Sequence, residues 1–268
     1  MRPTRTSMGT SGRASSGRGA DAPALAADSP WGRFALAWGD DELLLAHQLG
    51  HMLSRYTEFE ELIAIGSLSQ DDLAHAQLLH ALVEPDARER DRLFFERDPG
   101  DFRACAIVSR HLENWDLVIA RQYLYKAADE LRLREAAERA PAPLRAAAVG
   151  MAAEEQLHRA HWQHWCEVLA ASGEGNARLR GALAELWPHT GDLFSLPDAT
   201  SDLDWPAAEL TEEWRASVTG FLGGLGVQLP DDIPAPAAER SGVTDPAMLS
   251  DLKRSRRVYE REPTGVWG

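Results

Sequence analysis

The chain has 268 residues, of which 44% are hydrophobic and 26% charged, a composition that supports a sizeable core and excludes a wholly disordered chain. Its formal net charge of −14 argues against nucleic acid or an anionic membrane surface as the main partner. Cys105 and Cys166 are too few cysteines for a disulfide framework. No segment contains the roughly 18–20 consecutive apolar residues of a membrane span. We therefore expect a cytoplasmic chain with free thiols.

Residues 1–30 differ in composition from the rest of the chain, because Ser, Gly, Ala and Arg dominate them. The segment lacks the apolar core of a secretory signal, so we do not expect export. Its composition predicts a disordered N-terminal tail. Residues 31–268 are predicted to form one helical domain.

The pattern becomes helical from Trp31 onward, with a first helix predicted over Asp40–Tyr56. Acidic residues at its start favour a helix N-terminus. Leu45, Leu49 and Met52 form an apolar stripe along this helix, and Glu42 lies on the same face. A second helix is predicted over Glu58–Glu84, where Pro85 stops it. Its inward face is predicted to carry two polar residues within the series Ile65, Leu68, Asp72, His75 and Leu79.

Two more long helices follow a charged connector over Asp86–Gly100. The third is predicted from about Phe102 to Ala140, closed by Pro141. The fourth is predicted over about Pro143–Ala171, ending in the turn Ser-Gly-Glu-Gly. The inward stripe of the third helix is predicted to contain Trp115, Ile119, Gln122, Lys126 and Leu133.

Shorter helices are predicted in the C-terminal part, over Arg178–Trp187, around Leu193, and over Pro206–Leu225 and Pro246–Arg261. The last of these carries cations that suit packing on an acidic body or partner, although a solvated basic face is an equal alternative. These cations are Lys253, Arg254, Arg256 and Arg257. Because the chain has no β-hairpin signals, we predict an all-α fold built on four long helices.

Polar residues at inward positions resemble the ligands of a carboxylate-bridged di-iron site. Such a site takes one carboxylate from each of two helices and a Glu-x-x-His pair from each of the other two. Two hard cations close together need several anionic oxygens, and imidazoles complete their coordination. Glu42 is the candidate lone carboxylate of the first helix. The second helix offers Asp72 and His75, and the fourth offers Glu155 and His158.

The third helix places Lys126 where the site would need another carboxylate. An ammonium cannot ligate iron, and at low dielectric it would strongly repel two ferrous ions. Among three carboxylates, however, a buried lysine is well compensated. The simplest interpretation puts the ammonium where a metal would lie. In the alternative, Asp129 or Glu130 replaces the missing ligand while Lys126 extends away from the site.

Each candidate also has an ordinary structural explanation. Glu42 could be an exposed first-turn acid, and Asp72 with His75 a polar pair bonded within the core. Glu155 with His158 could be a buried ion pair or part of a solvated face. Together they favour an inward polar cluster inherited from a di-iron ancestor. Two further histidines are interpreted as surface or interface residues, namely His161 and His164.

Several stretches give the chain a family resemblance over about residues 34–260. They are WGDDELLLAHQLGH, ELIAIGSLSQDDLAHAQLL, WDLVIARQY, EEQLHRAHWQHW and LWPHTGDLF. The chain resembles the paired ferritin-like subunits of bacterial phenylacetyl-CoA epoxidase, a multicomponent monooxygenase of aerobic phenylacetate breakdown. The stretches Ile119–Tyr123 and LWPHTGDLF are most similar to its structural, non-catalytic subunit. The chain departs from that subunit at Ser54–Thr57, where a Gly-His-Ala-Pro-like turn is usual, and in keeping most of a ligand set.

The resemblance implies a ferritin-like four-helix bundle with additional C-terminal helices. It implies a structural subunit that binds no cofactor itself and partners a catalytic ferritin-like di-iron subunit and the other monooxygenase components, with no nucleic acid and no membrane. The main alternative is an active di-iron oxygenase or oxidase with two iron ions, whose ligands would be Glu42, Asp72, His75, Glu155 and His158. An iron-storage protein is a weaker possibility, because the chain is long and its C-terminal helices are unlike those of a cage subunit.

Overall fold

The computed structural model of the chain describes residues 24–55, 58–198, 203–230, 234, 237, 239–240 and 242–262. All regular structure within these ranges is helical, which confirms the predicted all-α class. None of the helices among the described residues is long and apolar enough to cross a membrane. Most of the predicted tail, residues 1–23, lies outside the described residues. Just before the first helix, Leu25 is buried and its amide donates to the carbonyl of Leu82 at 2.8 Å.

The first two long helices are α1 (Pro30–Met52) and α2 (Phe59–Ala81), which pack along each other. Helix α1 begins ten residues before its predicted start, because Ser29 caps it by accepting the amide of Gly32 at 3.0 Å. Pro30 follows at the first helical position, where its missing amide donor costs nothing. The predicted inward faces of both helices are buried, including the polar positions.

Helices α4 (Trp115–Arg139) and α5 (Ala142–Ala170) form the second pair, on either side of Pro141. Contacts between α2 and α5 join the two pairs into a four-helix bundle. Large aromatic side chains fill the interior, and Trp38 and Trp162 are fully buried. Both thiols, Cys105 and Cys166, are free and buried. The centre of the bundle is therefore formed by the four helices predicted from periodicity.

The segment between the two pairs differs from its prediction. The connector contains a short helix, α3 (Ala87–Phe95), capped by Asp86, and a 3₁₀ turn at Pro99–Asp101. The predicted third helix was wrong at its start, because residues 102–114 form no α-helix. Carboxylates of α1 accept hydrogen bonds from backbone amides of this segment, which a helix would use for its own backbone hydrogen bonds. The amide of Arg103 donates to Asp40 at 2.9 Å, and that of Cys105 to Asp41 at 2.8 Å.

The C-terminal part adds α6 (Gly173–Leu186), α7 (Ala207–Gly224), α8 (Pro246–Ser255) and α9 (Arg257–Arg261) around the bundle. The helix predicted around Leu193 is wrong, since residues 191–194 form a turn.

The predicted last helix is interrupted at Arg256, the one cation of its basic cluster that is buried. Arg256 donates to the carbonyl of Arg97 at 2.6 Å, and its guanidinium lies over the Phe94 ring. Lys253 and Arg257 are exposed. The basic helix therefore packs on the body of this chain through one cation and leaves others in solvent.

Candidate functional site

Six polar side chains meet at the centre of the four-helix bundle. Each is at most 3% exposed. Helix α1 contributes one, α2 two, α4 one and α5 two. They are the six residues singled out from the sequence, namely Glu42, Asp72, His75, Lys126, Glu155 and His158. We call this group the lysine cluster.

The ammonium of Lys126 lies between three carboxylates. Its Nζ donates to Glu42 Oε2 at 3.0 Å, to Asp72 Oδ1 at 2.8 Å and to Glu155 Oε1 at 2.8 Å. An ammonium has three donors, so these bonds use all of them. Each bond reaches a different helix, and the lysine therefore ties α4 to the other three members of the bundle.

His75 joins the lysine cluster to an acidic residue at the surface. Its Nδ1 lies 3.1 Å from Glu155 Oε1, and its Nε2 lies 2.7 Å from Glu154 Oε2. The Glu154 side chain is 55% exposed, so this contact reaches solvent. His75 thus faces a carboxylate on both sides of its ring.

His158 makes the equivalent arrangement from α5. Its Nδ1 lies 3.3 Å from Glu155 Oε1 and 3.4 Å from Asp72 Oδ1, and its Nε2 lies 3.2 Å from Asp71 Oδ2. Asp71 is 40% exposed. Both imidazoles therefore bridge an inner carboxylate and an outer one.

Three residues of this arrangement were missed from the sequence. Asp71 and Glu154 each precede an inner carboxylate, and these acidic doublets were the available signal. Tyr125 precedes Lys126, and its hydroxyl donates to Glu42 Oε1 at 3.0 Å. Each of these three residues directly precedes a residue of the lysine cluster, and helical periodicity places adjacent residues on different faces, so the sequence did not predict them as part of the site.

The carboxylates stabilise positive charge on the lysine and the two imidazoles. Burial opposes charge on Lys126, but Asp72, Glu155 and Glu42 outweigh it and hold the pKa of the ammonium well above its usual range. Burial also opposes charge on His75, yet its carboxylate neighbours, led by Glu155, raise its pKa to about 9. Asp72 and Glu155 likewise raise the pKa of His158 to about 10. All three groups are cationic at neutral pH.

The inner glutamates respond to the same surroundings in opposite directions. Burial raises the pKa of Glu42 to about 8, because the attraction of Lys126 only partly offsets the desolvation of the carboxylate. Burial also disfavours the charge of Glu155, but Lys126 and the bonds from His158 and His75 hold its pKa well below the usual range. Glu155 is therefore the principal anion of the lysine cluster.

The acids proposed as replacement ligands have other partners. Asp129 Oδ1 accepts from Arg132 Nη1 at 2.5 Å, and the same guanidinium donates to the Tyr125 hydroxyl at 3.0 Å. Glu130 forms an ion pair with Arg159. This arrangement gives no support to the alternative in which Lys126 turns away, since Lys126 points inward and both acids are paired.

A di-iron centre does not fit these residues as they stand. One ligand atom from each of Glu42, Asp72, His75 and Glu155 lies within 4.8 Å of the others, which is a spacing that could hold a cation. The position between their oxygens, however, is taken by the Lys126 ammonium. The positive charge that a metal would place between these carboxylates is thus supplied by the Lys126 ammonium.

Comparison with family models identifies a family for this chain. Residues 18–267 match the family described as phenylacetic acid catabolic protein. A search of curated proteins gives no match. The match covers the four bundle helices, the whole lysine cluster and the C-terminal helices.

Proposed function

The chain belongs to the phenylacetic acid catabolic protein family, and from that premise we propose that it is a non-catalytic, structural subunit of a phenylacetyl-CoA 1,2-epoxidase-like multicomponent monooxygenase. In this role it supports a catalytic ferritin-like di-iron subunit in phenylacetate breakdown. The observation that carries the proposal is the set of three hydrogen bonds from Lys126 Nζ to carboxylates on three different helices.

Lys126 supports a non-catalytic role because its ammonium occupies the position in the bundle interior where a metal ion would bind. A metal centre that activates O2 needs carboxylates and neutral imidazoles facing open coordination positions. Here Glu155 and both imidazoles face one another and Lys126 instead. Such a cluster stabilises little relative to well-packed apolar residues, but it penalises any other alignment of the four helices. We therefore assign it to holding the bundle in one register.

Exposed apolar side chains on two bundle helices support a partner-binding role. On α2, Phe59 and Ile63 lie one turn apart and are 68% and 59% exposed. On α5, Val149 and Leu157 lie about two turns apart and are 62% and 71% exposed. Large apolar groups exposed along a helix are typical of surfaces that a second protein covers. We propose that the catalytic subunit packs against α2 and α5.

The alternative function, a di-iron oxygenase in its own right, has an observation in its favour besides the spacing of the four ligand atoms. A cavity of about 510 Å³ between α4, α5 and α7 has Glu155 in its wall. Such a cavity could admit a substrate to the lysine cluster. Two charged residues in its wall, Arg134 and Arg159, are paired with acids. We favour the structural role because Lys126 takes the position between the carboxylates that this alternative needs for iron.

Metal analysis combined with co-purification tests the proposal. The chain is expressed in iron-supplied cells with and without a catalytic ferritin-like subunit of the same family, and iron is quantified in each preparation. We expect iron only when the second chain is present, bound to that chain. Two irons per chain in the protein purified alone would overturn the structural role.

Paired surface variants test the proposed partner face. Ile63→Asp places a charge on α2, whereas Val258→Asp places one on a side chain of similar exposure (57%) on α9. We expect the first variant to lose co-purification of the partner and the second to keep it. Equal retention in both variants would rule out α2 as the docking face.

A further inference from the structure

A second group of metal-binding side chains lies away from the lysine cluster. His47 and His51 are one helical turn apart on α1, His111 lies in the segment before α4, and Asp251 lies on α8. Asp251 Oδ2 is 3.2 Å from His47 Nε2, 3.0 Å from His51 Nε2 and 3.9 Å from His111 Nδ1. Three imidazoles therefore converge on one carboxylate oxygen.

These separations match those between the ligands of a tetrahedral metal ion. With bonds of ~2.0–2.1 Å from zinc to nitrogen or oxygen, two ligand atoms of a tetrahedron lie ~3.3 Å apart. The contacts of His47 and His51 with Asp251 are within a few tenths of an ångström of that value. The ligand atoms of His47, His51 and Asp251 all lie within 4.8 Å of one another. His111 Nδ1 lies outside that group, 3.9 Å from Asp251 Oδ2, and would have to move inward to become a fourth ligand. Two histidines at positions i and i+4 of one helix are a recurrent zinc-binding arrangement.

Hydrogen bonding accounts for the contacts of His47 and His51 with Asp251 Oδ2, but not for the position of the His111 ring. Asp251 Oδ1 accepts from Arg254, which leaves Oδ2 to serve all three imidazoles. The Nδ1 atom of His111 is buried and has no hydrogen-bond partner. Buried polar atoms are rarely left without a hydrogen-bond partner, so a ligand of this nitrogen would explain its position. The bond from Arg254 also orients the carboxylate, as outer partners of metal ligands commonly do.

We propose that His47, His51, His111 and Asp251 bind one zinc ion that fastens α8 to α1. Three nitrogens and one carboxylate oxygen suit zinc better than magnesium or calcium, which prefer oxygen ligands. With His111 moved inward, the protein would fill all four positions of the tetrahedron, which is the arrangement of structural rather than catalytic zinc. The ion would join α1 to a helix that lies about 200 residues further along the chain.

The local electrostatics suit a cation. The side chain of Asp251 is fully buried, and those of His47 and His111 are 12% and 16% exposed, so water competes weakly for the ion. None of the four residues belongs to the lysine cluster, so the zinc site is independent of the proposed function.

Zinc titration of the full chain tests this site. The protein is freed of metal with EDTA, and Zn²⁺ is titrated against a chromophoric chelator at constant pH. We expect one ion per chain with submicromolar affinity, and for His51→Ala an affinity at least ~100-fold lower. His51 is 43% exposed, so its removal leaves the fold intact. The matched control is His164→Ala, which removes a 70% exposed histidine of α5 and is expected to bind zinc like the wild type.

Two further measurements separate this site from binding elsewhere. Zinc is expected to raise the Tm of the wild type and of His164→Ala, but not of His51→Ala, and to slow proteolysis within α8. Co²⁺ in place of zinc is expected to give the intense visible absorption of a tetrahedral centre. Zinc bound with equal affinity by the wild type, His51→Ala and a second variant, His111→Gln, would overturn the proposal. So would a wild type that binds no zinc.

Discussion

Replacing Lys126 by methionine isolates the charge at the centre of the bundle. Methionine has nearly the length of lysine, so Lys126→Met leaves little cavity and removes chiefly the ammonium and its three hydrogen bonds. The variant leaves Glu42, Asp72 and Glu155 buried without that cation. Removing one partner from a buried charge group costs ~3–5 kcal/mol. Since whole domains are stable by ~5–15 kcal/mol, the loss is a large fraction of the total.

Urea unfolding followed by circular dichroism measures this loss. Lys253→Met is the matched control, because Lys253 is exposed and its replacement is expected to change the free energy of unfolding by less than ~0.5 kcal/mol. Adding Glu155→Gln to Lys126→Met removes one of the anions that the ammonium contacts, so the double variant should lose less than the sum of the two single variants. A Lys126→Met variant as stable as the control would refute the idea that the ammonium compensates the carboxylates.

Two further predictions concern pH and helix packing. His75 and His158 bind more protons in the folded than in the unfolded chain between pH 6.5 and about 9, because their pKa values are raised to about 9 and about 10. The free energy of unfolding should therefore fall as pH rises through this window, for His75 alone by ~3 kcal/mol, and a rise would contradict the assignment. A Cβ at Gly39 would overlap the His80 ring on α2, so Gly39→Ala should destabilise by ~1–3 kcal/mol in the same unfolding assay. Gly150→Ala, where the Cβ meets nothing within 4 Å, should instead be neutral or stabilising, and equal effects of the two variants would refute the packing explanation.

Periodicity was enough to predict the inward polar positions of the lysine cluster on α2 and α4, although not the buried Tyr125 beside Lys126. Asp72 and His75 lie between Leu68 and Leu79 in the repeat of α2, and the same geometry that buries the leucines buries them. Lys126 follows Ile119 and Gln122 on α4 in the same way. The composition of the lysine cluster was therefore accessible from the sequence, although its hydrogen bonds were not.

The segments whose structure was predicted wrongly are determined by contacts with residues distant in sequence, or lack the apolar pattern on which prediction relies. Residues 102–114 contain enough apolar positions to suggest a helix, but Asp40 and Asp41 hold their amides from α1. Helix α3 is largely charged and has no buried residue, so it lacks the apolar stripe on which prediction relies.

The proposed zinc site was missed for the same reason as these elements. His111 and Asp251 come from segments whose positions relative to α1 no local pattern reveals. His47 and His51 were visible as a pair on α1, but a histidine pair alone does not indicate which residues complete a site.

Ferrous iron binding by position-126 variants tests the central claim most directly. The chains are compared in a His51→Ala background, which removes the proposed zinc site, and anaerobic Fe²⁺ binding is measured by calorimetry. We predict no binding with Lys126, none with Lys126→Met, and a gain of binding with Lys126→Glu, which supplies the missing carboxylate. Iron binding as tight with Lys126 as with glutamate would contradict the claim that the ammonium takes the place of a metal. Failure of Lys126→Glu to bind iron would contradict descent of the lysine cluster from a di-iron site.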